Sequence, residues 1–248
     1  MSTPASIKVT GDAIAIGDRT APFVLRRSKR ARRLLVKVDA QRGGVTLVIP
    51  QRAALGEAMR FLEASSGWIE TRLAALPGRI AFGHGTVIPV RGIDHHIRHN
   101  PGRTRDAAGL PRGSVWVEAQ QINVAGQAEH LPRRVRDWLR QSARQEFADR
   151  ACRMAVTLDR SVKRISIRDS KTRWGSCSNS GALSFSWRLL MAPDFVIDYL
   201  IAHEVAHLVH MDHSRKFWTV VQQLTPTADQ ARRWLRQHGA SLHRYGDA

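Results

Sequence analysis

The sequence predicts an α+β protein with a β-rich N-terminal half and a helix-rich C-terminal half. Two observations carry this expectation. Up to about residue 125, short apolar–polar alternations are punctuated by Gly, Asp and Pro. From Pro132 onward, long stretches instead place apolar residues three and four apart. The change of regime falls at residues 125–131, so the expected division is a basic, β-rich region 1–128 and a second domain 129–248.

Each element follows from its local pattern. SIKVTGDAIAIG and APFVLRR read as short strands separated by Gly and Asp turns, and LLVKVDAQRGGVTLVIP as a hairpin turning at Gly43–Gly44. Beyond Pro50, Leu55, Met59, Leu62, Trp68, Ile69 and Leu73 keep helical spacing, with a break expected at Ser65–Ser66–Gly67. TVIPVRGIDHHIRH and SVWVEAQQINV return to strand alternation around the loop NPGRTRDAAGLPRG. Pro132 is placed to open a helix running through VRDWLRQSARQEFADRACRMAVTL, whose stripe is Val135, Trp138, Leu139, Phe147, Cys152 and Met154. RISIRDS and ALSFSWRLL then read as two strands of a hairpin, with Asn179–Ser180–Gly181 as a turn. Pro193 introduces the helix APDFVIDYLIAHEVAHLVH. Two further helices are expected, from about Ser214 to Leu224 and from Pro226 to Gln237.

Composition narrows the classes. The 248 residues are long enough for one large or two modest domains with real cores. No segment approaches the ~18 consecutive apolar residues of a membrane span, so no membrane association is expected. The first residues lack a secretory pattern, and two cysteines are too few for a disulfide framework, which makes the cytoplasm the expected location. The net charge of +18 either serves solubility or attracts a nucleic acid or other anionic ligand. The run RRSKRARR, residues 26–33, is correspondingly either a solvated strand edge or a phosphate-contacting patch. Nothing in the sequence addresses oligomeric state.

HEVAHLVHMDHSRKFW, residues 203–218, contains the chemistry. His203 and His207 stand four apart on a predicted helix, and such residues project from one face about 6 Å apart, close enough to share one Zn²⁺. Glu204 then points beside the ion, where it can accept and return a proton. Burying these polar groups among apolar neighbours without an ion would be costly. His210 lies only about 20° from His203 on a straight helix, but three ligands strung over ~10 Å of axis surround a tetrahedral ion poorly. The spacing 203, 207, 213 instead matches H-E-x-x-H-x-x-G-x-x-H, with His210 at the Gly position that turns the chain. Histidine tolerates a left-handed conformation there, and Asp212 can assist the turn. The expected metal ligands are therefore His203, His207 and His213. His95, His96 and His99 have no acidic or helical companion and are expected on an exposed strand or loop.

The run RDSKTRWGSCSNSGALSFSWRLLMAPDFVIDYLIAHEVAHLVHMDHSRKFW closely resembles the YgjP-like zinc metallopeptidase domain, a relative of the SprT-like and WLM proteases. The shared motifs are R-W-G-S-C-S, W-R-L, H-E-x-x-H and H-S-x-x-F-W. SKRARRL, GGVTLVIP and FLEASSGWI are similar to its N-terminal portion. The resemblance implies a zincin-like helical metallopeptidase domain with a short β-sheet beside the metal-binding helix. It also implies His203, His207 and His213 as ligands of a Zn²⁺ cofactor, with Glu204 as general base. One departure is His-Met-Asp-His before Ser214, where relatives often have Asn before the third histidine.

The expected activity is hydrolysis of peptide or protein substrates by a metal-activated water. The alternatives are a metal-dependent nucleotide pyrophosphatase and a nucleic-acid-associated protease docking through its basic N-terminal half. In zincins an edge strand above the metal helix pairs with an extended substrate, and ALSFSWRL is the candidate here, offering Ser184 and Ser186 beside Trp174 as substrate-binding residues. Arg173 is a candidate to stabilise an oxyanion or hold a carboxylate or phosphate. Arg173 and Trp174 are equally readable as a packed loop bracing the helix, and Trp187 and Arg188 as packing. Cys177 is expected to be a small buried residue.

Overall fold

The structure is a computed structural model that describes residues 7–39, 43–75, 78–102, 114–170 and 172–246. Most of the expected loop 100–113 lies outside these. The architecture is α+β, and the described chain separates into two compact units, one up to Gly78 and one from Arg79 onward.

In the first unit, β1 (Ile7–Thr10), β2 (Ala13–Ile16), β3 (Arg19–Ser28), β4 (Leu35–Asp39) and β5 (Gly44–Pro50) form one sheet in the order β1-β2-β3-β5-β4. All neighbours are antiparallel except β3 and β5. Alternation sends Ile14, Ile16, Phe23 and Leu47 to a core shared with Leu62 and Ile69. Those two belong to α1 (Leu55–Ala64) and α2 (Ser66–Ala74), which part at Ser65 as the sequence predicts. The basic residues at 26, 27, 29 and 30 are exposed, and Arg27 donates to the carbonyls of Gln51 and Ala53.

The second unit begins with β6 (Val87–Val90), β7 (Ile93–His99), β8 (Val115–Glu118) and β9 (Gln121–Val124), in the order β6-β7-β9-β8. Both hairpins turn on left-handed pairs, Arg91–Gly92 and Ala119–Gln120. Gly92 is required at its turn, because a Cβ would stand 2.9 Å from Pro193 Cα. Ile88, Ile97, Ile122 and Val124 share one core with the C-terminal helices. That shared core places β6–β9 in the same compact unit as those helices. His95, His96 and His99 lie on β7; the His99 ring Nε2 is 2.6 Å from the Gly126 carbonyl.

The long helix α3 (Leu131–Val156) is about 39 Å in length at 1.5 Å per residue. Its buried stripe is Val135, Leu139, Ala143, Phe147, Ala151 and Ala155, a run at steps of four. Alanines complete it, and Cys152 faces solvent, contrary to the expected stripe. The small residues let the next layer approach closely.

That layer is a three-stranded sheet of β10 (Arg164–Arg168), β11 (Gly175–Cys177) and β12 (Ala182–Ser186) in the order β10-β12-β11. It corrects the expected hairpin. β10 runs parallel to β12, and the antiparallel partner across the Asn179–Ser180–Gly181 turn is β11. β12 also ends at Ser186, where Trp187–Met191 form a buried 3-10 turn.

α4 (Asp194–Ala206) is apolar almost all round, and its buried residues run from Val196 to Ala206. Ion pairs fix its first turn. Arg91 grips Asp194 in a two-pronged pair at 2.8 Å, and Arg150 of α3 reaches Asp194 and Asp198 at 2.7 Å each. α5 (Arg215–Leu224) and α6 (Ala228–His238) complete the fold.

Arg188, in the 3-10 turn, is buried and pairs with Asp169 at 2.7 Å; it also donates to the Leu242 and Tyr245 carbonyls. Its guanidinium stacks 4.4 Å from the centre of the Trp187 ring, so both residues pack rather than line a site. Burial pushes the Asp169 carboxyl upward, but Arg188 outweighs it and the net pKa lies below the ordinary carboxylate value. A carboxyl with a depressed folded pKa contributes stability that is fully present above its unfolded value of about 3.9 and is lost as pH falls through the folded one. The thermal midpoint is therefore expected to drop as the buffer goes from pH 5 to pH 3. Asp169→Asn should lower the midpoint at pH 7 and make that acid slope shallower, as measured by calorimetry.

Candidate metal centre

α4 delivers His203, Glu204 and His207, the last at the helix end. His207, Leu208 and Val209 continue as turns, with the His210 N–H bonded to the Ala206 carbonyl at 3.0 Å. The chain then reverses through residues 211–214. Asp212 Oδ1 accepts the Ser214 N–H at 3.4 Å, and α5 starts beyond. The reversal brings His213 back over the helix. One ring nitrogen each from His203, His207 and His213 lies within 4.8 Å of the others. Among the described residues this is the one group of three or more histidine, cysteine or carboxylate side chains so placed. His210 is not left-handed, contrary to expectation, so the reversal uses ordinary backbone and the Asp212 side chain.

The three rings have the chemistry a metal ion needs. The Nε2 atoms of His203 and His213 face each other at 3.2 Å. Two nitrogens bound to one tetrahedral ion at ~2.05 Å stand about 3.3 Å apart, close to that spacing. His203 Nδ1 is buried without a hydrogen-bond partner among the described residues. Burial and the charges of His207 and His213 hold the His203 pKa down to about 4, and burial lowers that of His207. Both rings are thus neutral near pH 7, the form in which imidazole binds metal. The His207 Nδ1 lies 3.0 Å from the His210 carbonyl, which orients the ring with Nε2 toward the cluster. His210 acts through its backbone.

Phe217 explains the aromatic pair that follows Ser214. Its fully buried ring lies 5.0, 4.5 and 4.8 Å from the rings of His203, His207 and His213, so one side chain braces all three. Trp218 covers His203 and His213 at 5.8 and 6.1 Å.

Glu204 is buried, and burial raises its pKa to about 7. It lies against β11. A Cβ on Gly175 would stand 2.5 Å from Glu204 Oε1, 2.7 Å from Cγ and 2.9 Å from Cδ. Only glycine leaves that side chain its place. Gly175 was not singled out by the sequence reasoning, although an isolated glycine in a strand-like run signals a close approach. Cys177, two residues on, shares this face; burial and then the Glu204 charge push its thiol up to about 11.

The remaining candidates separate. β12 is the central strand and both its edges are paired, so it cannot accept a substrate strand as expected. β11 has its outer edge unpaired among the described residues and packs beside α4. Ser184 lies on the sheet face away from the apolar core, and Ser186 is buried. Trp174 packs on His243, ring centres 4.9 Å apart, in the bracing role. Arg173 is exposed and lines a groove with Trp174, Ser184 and Ser186.

No curated protein matches the chain. Among solved structures, the metallopeptidase zymogen abylysin of Pyrococcus abyssi is similar to 42% of this chain and 98% of its own, with 20% identity and a TM-score of 0.33. The family model described as the YgjP-like metallopeptidase domain matches residues 32–238. That span holds the three histidines, Glu204 and most of the chain: the protein belongs to the YgjP-like metallopeptidase family, enzymes that hydrolyse peptide bonds with a metal ion.

Proposed function

We propose that the protein is a zinc-dependent metallopeptidase in which His203, His207 and His213 hold the ion and Glu204 is the general base. The convergence of three imidazoles beside one buried carboxylate is the observation that supports this reading most strongly. Three nitrogen ligands suit Zn²⁺ and leave a fourth position open, the arrangement of catalytic rather than structural sites. A bound Zn²⁺ would supply Lewis acidity, acidifying a water and polarising the scissile carbonyl.

The chain's own groups do the rest. Glu204 takes the proton of the attacking water on a carboxylate oxygen and returns it to the leaving amide nitrogen. The buried site lowers the cost of holding that proton on the carboxyl. His207 is held by the His210 carbonyl and all three rings by Phe217, so little reorganises during turnover. The edge of β11 that is unpaired among the described residues receives an extended peptide by strand addition, which would set the scissile bond beside Glu204.

Stripping divalent metal with a chelator is expected to abolish cleavage of casein or a peptide library, and stoichiometric Zn²⁺ to restore it. Cleavage that survives complete metal removal would overturn the proposal. Hydrolysis of nucleoside triphosphates rather than peptides by the zinc form would do so as well.

A further inference from the structure

The face of the three-stranded sheet turned away from the apolar core is built as a polar floor. Register fixes its composition. Ser166 of β10, Ser184 of β12 and Ser176 of β11 lie side by side in one row across the sheet. The next row pairs Arg168 with Ser186, and the row on the other side pairs Arg164 with Ala182. The alternate residues Leu183 and Phe185 point into the core, with Ile165 and Ile167 packed against it. The small side chains leave a groove of about 620 Å³, to which Ser170, Thr172, Arg173 and Ser178 add further polar rim.

Three observations point to what the groove takes. Arg164, Arg168 and Arg173 are exposed along it, and none of their side chains has a hydrogen bond or ion pair among the described residues. No aspartate or glutamate is among its lining residues, so its positive charge is uncompensated locally. Ser186, on the floor beside Arg168, is 1% exposed, and its Oγ has no hydrogen-bond partner. A buried hydroxyl without a partner is uncommon and calls for a ligand atom to complete it.

We propose that this face is a phosphate-binding site, in which Arg164 and Arg168 hold the oxygens of a phosphoryl group and the Ser186 hydroxyl donates to one of them. A doubly charged tetrahedral group with several acceptor oxygens matches guanidinium forks flanking a row of hydroxyls. The site uses none of the metal-cluster residues and lies on the face opposite the one Gly175 turns to Glu204, so it does not depend on the peptidase reading. The phosphoryl group is either free phosphate or one carried on a polypeptide side chain.

Titration of the full-length protein with inorganic phosphate, by calorimetry at constant ionic strength with chloride as control, tests this. Saturable binding is expected in the wild type. The double variant Arg164→Gln/Arg168→Gln should weaken it by about tenfold or more, the scale of losing charge-assisted bonds. Ser186→Ala, which removes only the buried hydroxyl, should weaken it by a smaller factor. Circular dichroism without phosphate controls for folding of each variant. A phosphoserine peptide and its unphosphorylated copy distinguish the sources. Binding of the phosphopeptide at least ten times tighter than of phosphate assigns the group to a polypeptide, and equal affinity assigns it to free phosphate. Binding no stronger than chloride, or binding unchanged in both the double variant and Ser186→Ala, overturns the proposal.

Discussion

Glu204→Gln is expected to lower kcat/KM for peptide cleavage by about 10²–10⁴-fold, the usual contribution of a positioned general base, while zinc content stays at the wild-type level. The two halves of that result have separate causes. The ring nitrogens of His203, His207 and His213 form the cluster by themselves, and Glu204 contributes no atom to it. The amide keeps the size of the carboxylate, so the close packing against Gly175 is preserved. What is lost is the capacity to take up a proton. Cleavage within tenfold of wild type, with metal retained, would show that another group handles the proton.

Gly175→Ala is expected to disturb the same residue without altering its chemistry. The new Cβ would meet Glu204 Oε1 at 2.5 Å, Cγ at 2.7 Å and Cδ at 2.9 Å. Movement of the carboxylate end alone cannot relieve the clash, because Cγ also lies within 3.0 Å. Either the Glu204 rotamer changes or β11 moves off α4. A displacement of about 1 Å at a reacting group costs on the order of 100-fold in rate, and overpacking costs about 1–3 kcal/mol of stability. Zinc content should be unaffected. Combining Gly175→Ala with Glu204→Ala removes Cγ, Cδ and both carboxylate oxygens and should recover part of the lost stability, read as the thermal midpoint. Wild-type cleavage by Gly175→Ala would mean that Glu204 does not act from its observed position.

Both effects depend on a part of the site that local sequence patterns reveal unevenly. Helical spacing sufficed for α4, α5 and α6, and for the break at Ser65, because each side chain there reports on its own turn of helix. The histidine cluster was legible for a related reason. Two of the histidines share one helix face, and tetrahedral coordination argues against a third from the same straight axis. The conformation of His210 was not legible, since Asp212 and ordinary backbone achieve the reversal without a left-handed residue.

The sheet beside the helix was harder. β11 has only three residues, too few for alternation to register, and it sits inside a segment that reads as a loop. The parallel pairing of β10 with β12 joins residues distant in sequence, and no local pattern encodes it. Alternation therefore points to β12 as the edge strand, and β12 proves to be the centre of its sheet. The extent of the first compact unit is equally hard to read locally. Strand alternation in β6–β9 marks a buried face but does not say which core receives it, and that core turns out to be the one under α3.

The central claim is that His203, His207 and His213 together hold the ion. Zinc analysis of purified wild-type protein beside His213→Ala and His210→Ala tests it most directly. One equivalent is expected in the wild type and near-complete loss in His213→Ala. His210→Ala should keep its zinc, because His210 serves the cluster through its backbone carbonyl. Zinc retained by His213→Ala and lost from His210→Ala, or no stoichiometric metal in the wild type, would contradict the account.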